Sequence, residues 1–276
     1  MTILSGGAYQ AGAIRLADVR VPAPGTGGTL RTHQITAPPT DVDRLSSWLQ
    51  LVPCPLGLDR YVLRARIAYQ DSIDVPTRSG KGAEANARAT SFLLSWGDER
   101  IHYWRMLIPP DFPFLDSVDT NTVVAQVHEV GTNSPAGQPP NFYVQISRRI
   151  LNFRQSNDTY PSTRTIYSMP IVAGQELDFS LRCRWRDGIH SVPWAAGYLQ
   201  LMVNGSVVWE DTQTANCWVD AADATQPFPV AGVYKPNSPS EPTWVSGTTW
   251  MYHVGAASGD ASETHASLAA FVASQL

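Results

Sequence analysis

From Asp59 onward, hydrophobic and polar positions alternate. Tyr61, Leu63, Ala65, Ile67 and Tyr69 share one parity, and Val62, Arg64, Arg66, Ala68 and Gln70 the other. A period of two places each set on its own face of a pleated chain, so this run predicts a half-buried strand. Strand-like runs recur at 90–96, 101–108, 122–129, 142–147, 164–168, 177–185, 198–203, 207–209, 230–234 and 248–254, with a polar loop expected over 74–86. Asn204-Gly205, between two of these runs, supplies the positive φ angles of a two-residue hairpin turn. About ten or eleven strands with few helices predict an all-β, antiparallel β-sandwich of the jelly-roll kind.

Two segments break the period. Residues 1–57 carry Pro22, Pro24, Gly25, Gly27, Gly28, Pro38, Pro39, Pro53 and Pro55 among short apolar runs. They read as an extended arm or docking segment, or as a loop-rich first part of the same domain. Within them, Leu45, Trp48 and Leu49 fall at helical spacing and predict a short helix over 41–51. At the other end, Leu268, Phe271, Val272 and Leu276 recur at three and four residues, predicting a helix over 262–276 with Ser262 as its cap. The expected division is an arm at 1–57, a sandwich domain at 58–257 and a helical tail at 258–276.

Composition narrows the classes. Only 16% of the 276 residues are charged, against about 25% in an average soluble protein, while Gly and Pro number 20 and 21 and Trp 9. That balance suits a broad β core or a sugar-facing surface. The net charge of −4 offers no electrostatic case for nucleic acid. No apolar run is long enough for a membrane-spanning helix. Met1 to Gln10 has neither a basic nor an apolar signal region, so no export signal is expected here. Cys54, Cys183 and Cys217 form neither a disulfide framework nor a zinc pattern, and reduced thiols are expected.

Three segments carry candidate chemistry. In Thr122–Glu129, Gln126 and His128 share a strand face with Val124, while Val123, Ala125 and Val127 face the other way. This is either a site or a surface pair, or a satisfied core histidine. In Phe228–Pro236, Val230, Gly232 and Tyr234 share a face, with Lys235 adjoining. A glycine there leaves room for a ligand, or merely relieves crowding. The third runs from Ser95 to Pro113, with Arg88 upstream and Arg105 within it. An arginine fork suits a carboxylate, and an ordinary surface arginine is the alternative. The six histidines make no ligand pair at helical spacing, and Glu129 lacks the second carboxylate that glycoside hydrolysis needs.

Gln126-Val-His128 resembles the Gln-Ile/Val-His motif of alginate-lyase-type polysaccharide lyases, and Ala231-Gly-Val-Tyr234 the centre of their Phe-Lys-Ala-Gly-Val-Tyr motif. The order Ile108-Pro-Pro-Asp-Phe112, Gln126-Val-His128, Pro139-Pro-Asn-Phe-Tyr143, Leu201-Met-Val-Asn-Gly205, Gly232-Val-Tyr-Lys235 is similar to the glucuronan lyase and heparin-lyase-I-like group, over residues 60–255. Three positions depart from the family pattern. No Glu stands two residues after Arg88, Val230 replaces a Lys, and the Gln after the Tyr motif is missing.

The resemblance implies a concanavalin-like jelly roll and β-elimination on a uronic-acid-containing polysaccharide. It implies Gln126 and Arg88 as carboxylate-neutralising groups, His128 as a further neutralising group or base, and Tyr234 as acid/base. Lys235, Arg105 and Tyr143 are the candidate substrate-binding side chains. No metal or cofactor is required. The expected partner is an acidic polysaccharide met outside the cell. With no export signal at Met1 to Gln10, three readings stand side by side: a virion-associated depolymerase, an enzyme whose signal has been trimmed, or an intracellular lyase. The arm and the C-terminal helix would serve virion assembly or a homo-oligomer. A non-catalytic carbohydrate-binding or structural virion protein on the same fold is the alternative.

Overall fold

The computed structural model describes residues 2–3, 49–68, 84–88, 99–112, 122–128, 140–156, 163–185, 197–212, 216, 228–234 and 248–274. Alternation resolves there into β1 (Thr2–Ile3), β2 (Leu49–Pro53), β3 (Tyr61–Ala68), β4 (Glu84–Arg88), β5 (Glu99–Leu107), β6 (Thr122–His128) and β7 (Phe142–Ser147). The chain continues through β8 (Ile150–Ser156), β9 (Thr163–Pro170), β10 (Glu176–Arg184), β11 (Tyr198–Val203), β12 (Ser206–Asp211), β13 (Phe228–Tyr234), β14 (Thr248–Asp260) and α1 (His265–Ala273). Eight strands form one sheet in the order β12-β11-β10-β5-β14-β3-β2, with β1 beside β14. Six form the other, in the order β4-β13-β6-β7-β8-β9. The pairings are antiparallel. This is the β-sandwich that the alternation predicts.

The two inner faces meet in one core. Trp104 of β5 stacks on Phe179 of β10 with ring centroids 5.2 Å apart, and Phe179 meets Phe153 of β8 edge-on at 5.2 Å. Phe142 of β7 completes the group from the six-stranded sheet. All four rings are sealed from solvent. Truncating any one to alanine is expected to cost about 3–5 kcal/mol. Cys54 and Cys183 are buried thiols; Cys217 lies outside the described residues.

Asn204-Gly205 forms the expected hairpin turn, with φ of 47° and 77° between paired Val203 and Ser206. Four local expectations change. Residues 49–51, expected to end a helix, lie in β2 and pair with β3. Residues 84–86, expected as loop, belong to β4, which among the described residues is an edge strand paired with β13 alone and lacks large apolar side chains. Strand β8 has no counterpart among the sequence-derived runs. It is joined to β7 through Arg148-Arg149, where Arg148 takes φ 54° without the glycine or asparagine that would announce such a turn. The helix is capped by Thr264 rather than Ser262. The Thr264 hydroxyl accepts from the Ser267 amide while the Ser267 hydroxyl accepts from the Thr264 amide. The expected strand at 90–96 lies outside the described residues.

Helix α1 covers the outer face of the eight-stranded sheet, placing Leu268 and Val272 against Ile101, Tyr103 and Ala257. The outer face of the six-stranded sheet carries the polar residues considered next.

Candidate active site

In β6, Ala125 and Val127 lie in the core, so Gln126 between them points away from it. The same parity operates in β7, where Phe142, Val144 and Ile146 are core and Tyr143 and Gln145 face outward, and in β8, where Leu151 and Phe153 are core and Asn152 and Arg154 face outward. Register then aligns these side chains. Val230 is opposite Arg88 on one side and Gln126 on the other; Gln126 is opposite Tyr143; Tyr143 is opposite Arg154; Arg154 is opposite Thr165. One row crosses all six strands, with three candidate site positions, Arg88, Gln126 and Tyr143, along it.

Tyr234 lies on the same face, two same-face positions along β13 from that row. Val230, Gly232 and Tyr234 alternate with core residues Ala231 and Val233. Register between β13 and β6 shifts after Ala231, leaving Tyr234 opposite Val123. There the extra residue is on β13; a separate shift between β6 and β7 makes Val124 the extra residue of a bulge on β6. Consequently Val124, expected beside Gln126, lies in the core with Ala125 and Val127. Simple alternation fails at that one position, and Val123 moves to the outer face opposite Tyr234.

The site face is polar yet shielded. Gln126 is 2% exposed, Tyr143 8% and Gln145 6%. In such surroundings an amide meets an incoming charge with little competition from water. The Arg154 guanidinium sits over the Tyr143 ring, 5.5 Å from its centroid, and donates to the Thr163 hydroxyl at 2.9 Å. Ser168 donates to Asn152 Oδ1 at 2.7 Å beside it.

Beneath the face, the buried His253 of β14 reaches the other sheet, its Nε2 lying 3.1 Å from the Gly232 carbonyl. A carbonyl only accepts, so Nε2 carries the proton. Burial holds this imidazole down to about 4, against the opposing pull of the Gly232 hydrogen bond, so it is neutral at ordinary pH.

The remaining candidates are placed as follows. His128 ends β6 with its backbone opposite Phe228. Lys235 lies outside the described residues. Arg105 is not brought to this face. It alternates with core residues Trp104 and Met106, which puts it on the outer side of the eight-stranded sheet, ion-paired to Glu176. Nearby on that side, Tyr103 donates to Asp178 Oδ2 at 2.9 Å, His265 Nε2 lies 3.2 Å from Asp178 Oδ1, and His265 Nδ1 lies 3.0 Å from Ser180 Oγ. Burial raises the Tyr103 phenol, and Asp178 adds to it. Burial also works to raise Asp178, but hydrogen bonds from His265 and Tyr103 outweigh it and hold the carboxyl below its usual range. With Ser180 sealed beneath α1, this Ser–His–Asp set pins the helix and does not present a nucleophile. Among the described residues no three His, Cys, Asp or Glu side chains converge as metal ligands, and no helix is long and apolar enough to cross a membrane.

Sequence reasoning missed Arg154, Gln145, Asn152 and His253. The first three follow from strand parity once β8 is recognised. His253 had no signal beyond a histidine in an apolar strand.

Comparison with solved structures returns the same architecture. The fungal endo-β-1,4-glucuronan lyase from Trichoderma reesei superposes with a TM-score of 0.57 at 15% identity, covering 80% of this chain and 88% of that one. The alginate lyase A1-II′, of polysaccharide lyase family 7, gives 0.52 at 13% identity over 77% of this chain and 83% of that one. The family 7 alginate lyase AlgAT5 gives 0.50 at 10%, over 78% and 82%. Among curated proteins none matches. The polysaccharide lyase family model matches residues 49–255, from β2 into β14 and across the whole row described above, and the chain therefore belongs to the polysaccharide lyases.

Proposed function

We infer that this lyase cleaves a uronic-acid-containing polysaccharide by β-elimination on the outer face of the six-stranded sheet. The observation that carries the reading is the row in which Gln126 stands between Val230 and Tyr143, with Arg88 in register beyond Val230 and Tyr234 on the same face. The uronate specificity is also in keeping with structural relatives that are named as glucuronan and alginate lyases.

The proton on C5 of a uronate is weakly acidic. It becomes removable when the adjacent carboxylate is neutralised, because charge flows into that group as the C5–H bond breaks. Gln126 and Arg88 take this role, with His128 as a further neutralising group or base. The C5–H electron pair forms the C4–C5 double bond, and O4 leaves with its bonding pair and receives a proton. Tyr234 serves as acid/base for these transfers. An ordinary tyrosine ionises near 10, so a neighbouring cation such as Lys235 would help it act as the base; His128, opposite Phe228 at the far end of the β13–β6 ladder, is too distant for that role. Tyr143, opposite Gln126, forms part of the sugar-binding surface.

The test is incubation of the full chain with alginate, glucuronan, heparin-like and bacterial capsular polymers while following ultraviolet absorbance. Growth of absorbance from unsaturated ends on a uronate polymer, and none on neutral glucans, is the expected result. No unsaturated product from any of them would refute the elimination reading.

A further inference from the structure

Arg154 differs from five arginines of the sandwich that are held by carboxylates. Arg60 and Arg105 pair with Glu176, Arg164 with Asp211, and Arg182 and Arg184 with Glu99. Arg154 has no carboxylate partner among the described residues. It is held by neutral groups instead: the Tyr143 ring at 5.5 Å, the Thr163 hydroxyl at 2.9 Å and Gln145 Oε1 at 3.4 Å. Its Nε–H is buried and has no acceptor among the described residues. A part-exposed guanidinium held in place without a counter-carboxylate is a receptor for an anion, and its planar fork matches a carboxylate.

Its place in the row sets which carboxylate. Arg154 is two strands from Gln126, through Tyr143. Strands lie about 4.8 Å apart, so the two positions are separated by about 10 Å. A 1,4-linked pyranose advances the chain by about one strand spacing. In an extended polymer, alternate sugars turn their carboxylates to the same side. We propose that Arg154 binds the carboxylate of the uronate two sugars away from the one that Gln126 addresses, and selects for acidic residues there. This rests on the uronate reading above and extends it to a polymer lying across the strands.

A contact so far from C5 acts equally on bound substrate and transition state, so its loss raises KM and leaves kcat alone. The experiment uses β-1,4-linked glucuronate and mannuronate oligomers of graded length, with neutral glucose oligomers as controls. Binding is read by calorimetry and cleavage by ultraviolet absorbance, for the parent chain, Arg154→Gln and Arg154→Lys. Arg154→Gln should weaken binding of the longer uronate oligomers by about tenfold or more, the scale of a lost charge-assisted hydrogen bond. The shortest oligomers should bind unchanged, kcat on polymer should hold, and Arg154→Lys should recover part of the loss. Equal affinity of Arg154→Gln and parent at every length, or no uronate binding by the parent, would overturn the proposal. So would an equal loss on neutral oligomers. If the binding pattern appears but no variant or parent makes unsaturated product, the subsite stands and the elimination reading alone falls.

Discussion

The imidazole of His253 donates to the carbonyl of Gly232 at 3.1 Å, joining β14 of the eight-stranded sheet to β13 of the six-stranded one. Both ends of this bond sit where register slips: β14 shifts between His253 and Gly255, and β13 between Ala231 and Tyr234. One side chain therefore ties two irregularities together, two residues from the candidate acid/base Tyr234.

His253→Leu removes a donor that reaches this carbonyl from the opposite sheet, and should cost about 1–3 kcal/mol in urea unfolding. His253→Gln keeps an N–H and should recover part of it, along with activity at temperatures where all variants are folded. Identical unfolding midpoints for the three chains would show that the bond contributes nothing.

Stability should fall on mild acidification. Burial depresses His102 to about 3 and His253 to about 4. An unfolded histidine takes up its proton near 6.5. Between those values the unfolded chain binds more protons than the folded one, so stability is full above about 6.5 and declines as pH drops. Thermal unfolding midpoints measured from about pH 7 down to about 4.5 should decrease, and His253→Gln should flatten the slope. A flat profile for the parent chain would contradict the buried neutral state of both rings.

At the site, Tyr234→Phe should lower kcat by about 10²-fold or more while leaving KM nearly unchanged, since the phenol acts on proton transfers. Gln126→Ala should also act mainly on kcat, because the amide meets charge that grows toward the transition state. Steady-state kinetics on whichever uronate polymer is cleaved would check both. Loss confined to KM would recast the two residues as binding groups.

Gly259 approaches the turn that leads into α1, and a Cβ there would lie 2.7 Å from Cβ of Glu263 and within reach of Leu268. Gly259→Ala should therefore destabilise by about 1–3 kcal/mol through overpacking. Calorimetric unfolding would show it, and an unchanged midpoint would mean that the turn moves aside freely.

Strand parity was legible because period-two alternation is local: Gln126 between Ala125 and Val127 reads correctly from three letters. Partners were not legible. That Gln126 stands opposite Tyr143, or that Arg105 belongs to the other sheet, depends on long-range pairing that no short window contains. Strand β8, and Arg154 with it, was hidden by a turn of two arginines in place of the usual glycine or asparagine. The His253–Gly232 bond was illegible for a further reason, since it exists only where two bulges meet.

The bulge at Val124 changes how kinship should be measured on this strand. Val123 and Gln126 are an odd number of letters apart, yet they share a face because Val124 and Ala125 are both spent on the core. A ruler with fixed gaps misreads such a strand by one. An alignment that lets β6 gain or lose a single letter at Val124 keeps Gln126 opposite Tyr143, whereas one that forbids it slides Gln126 off that partner.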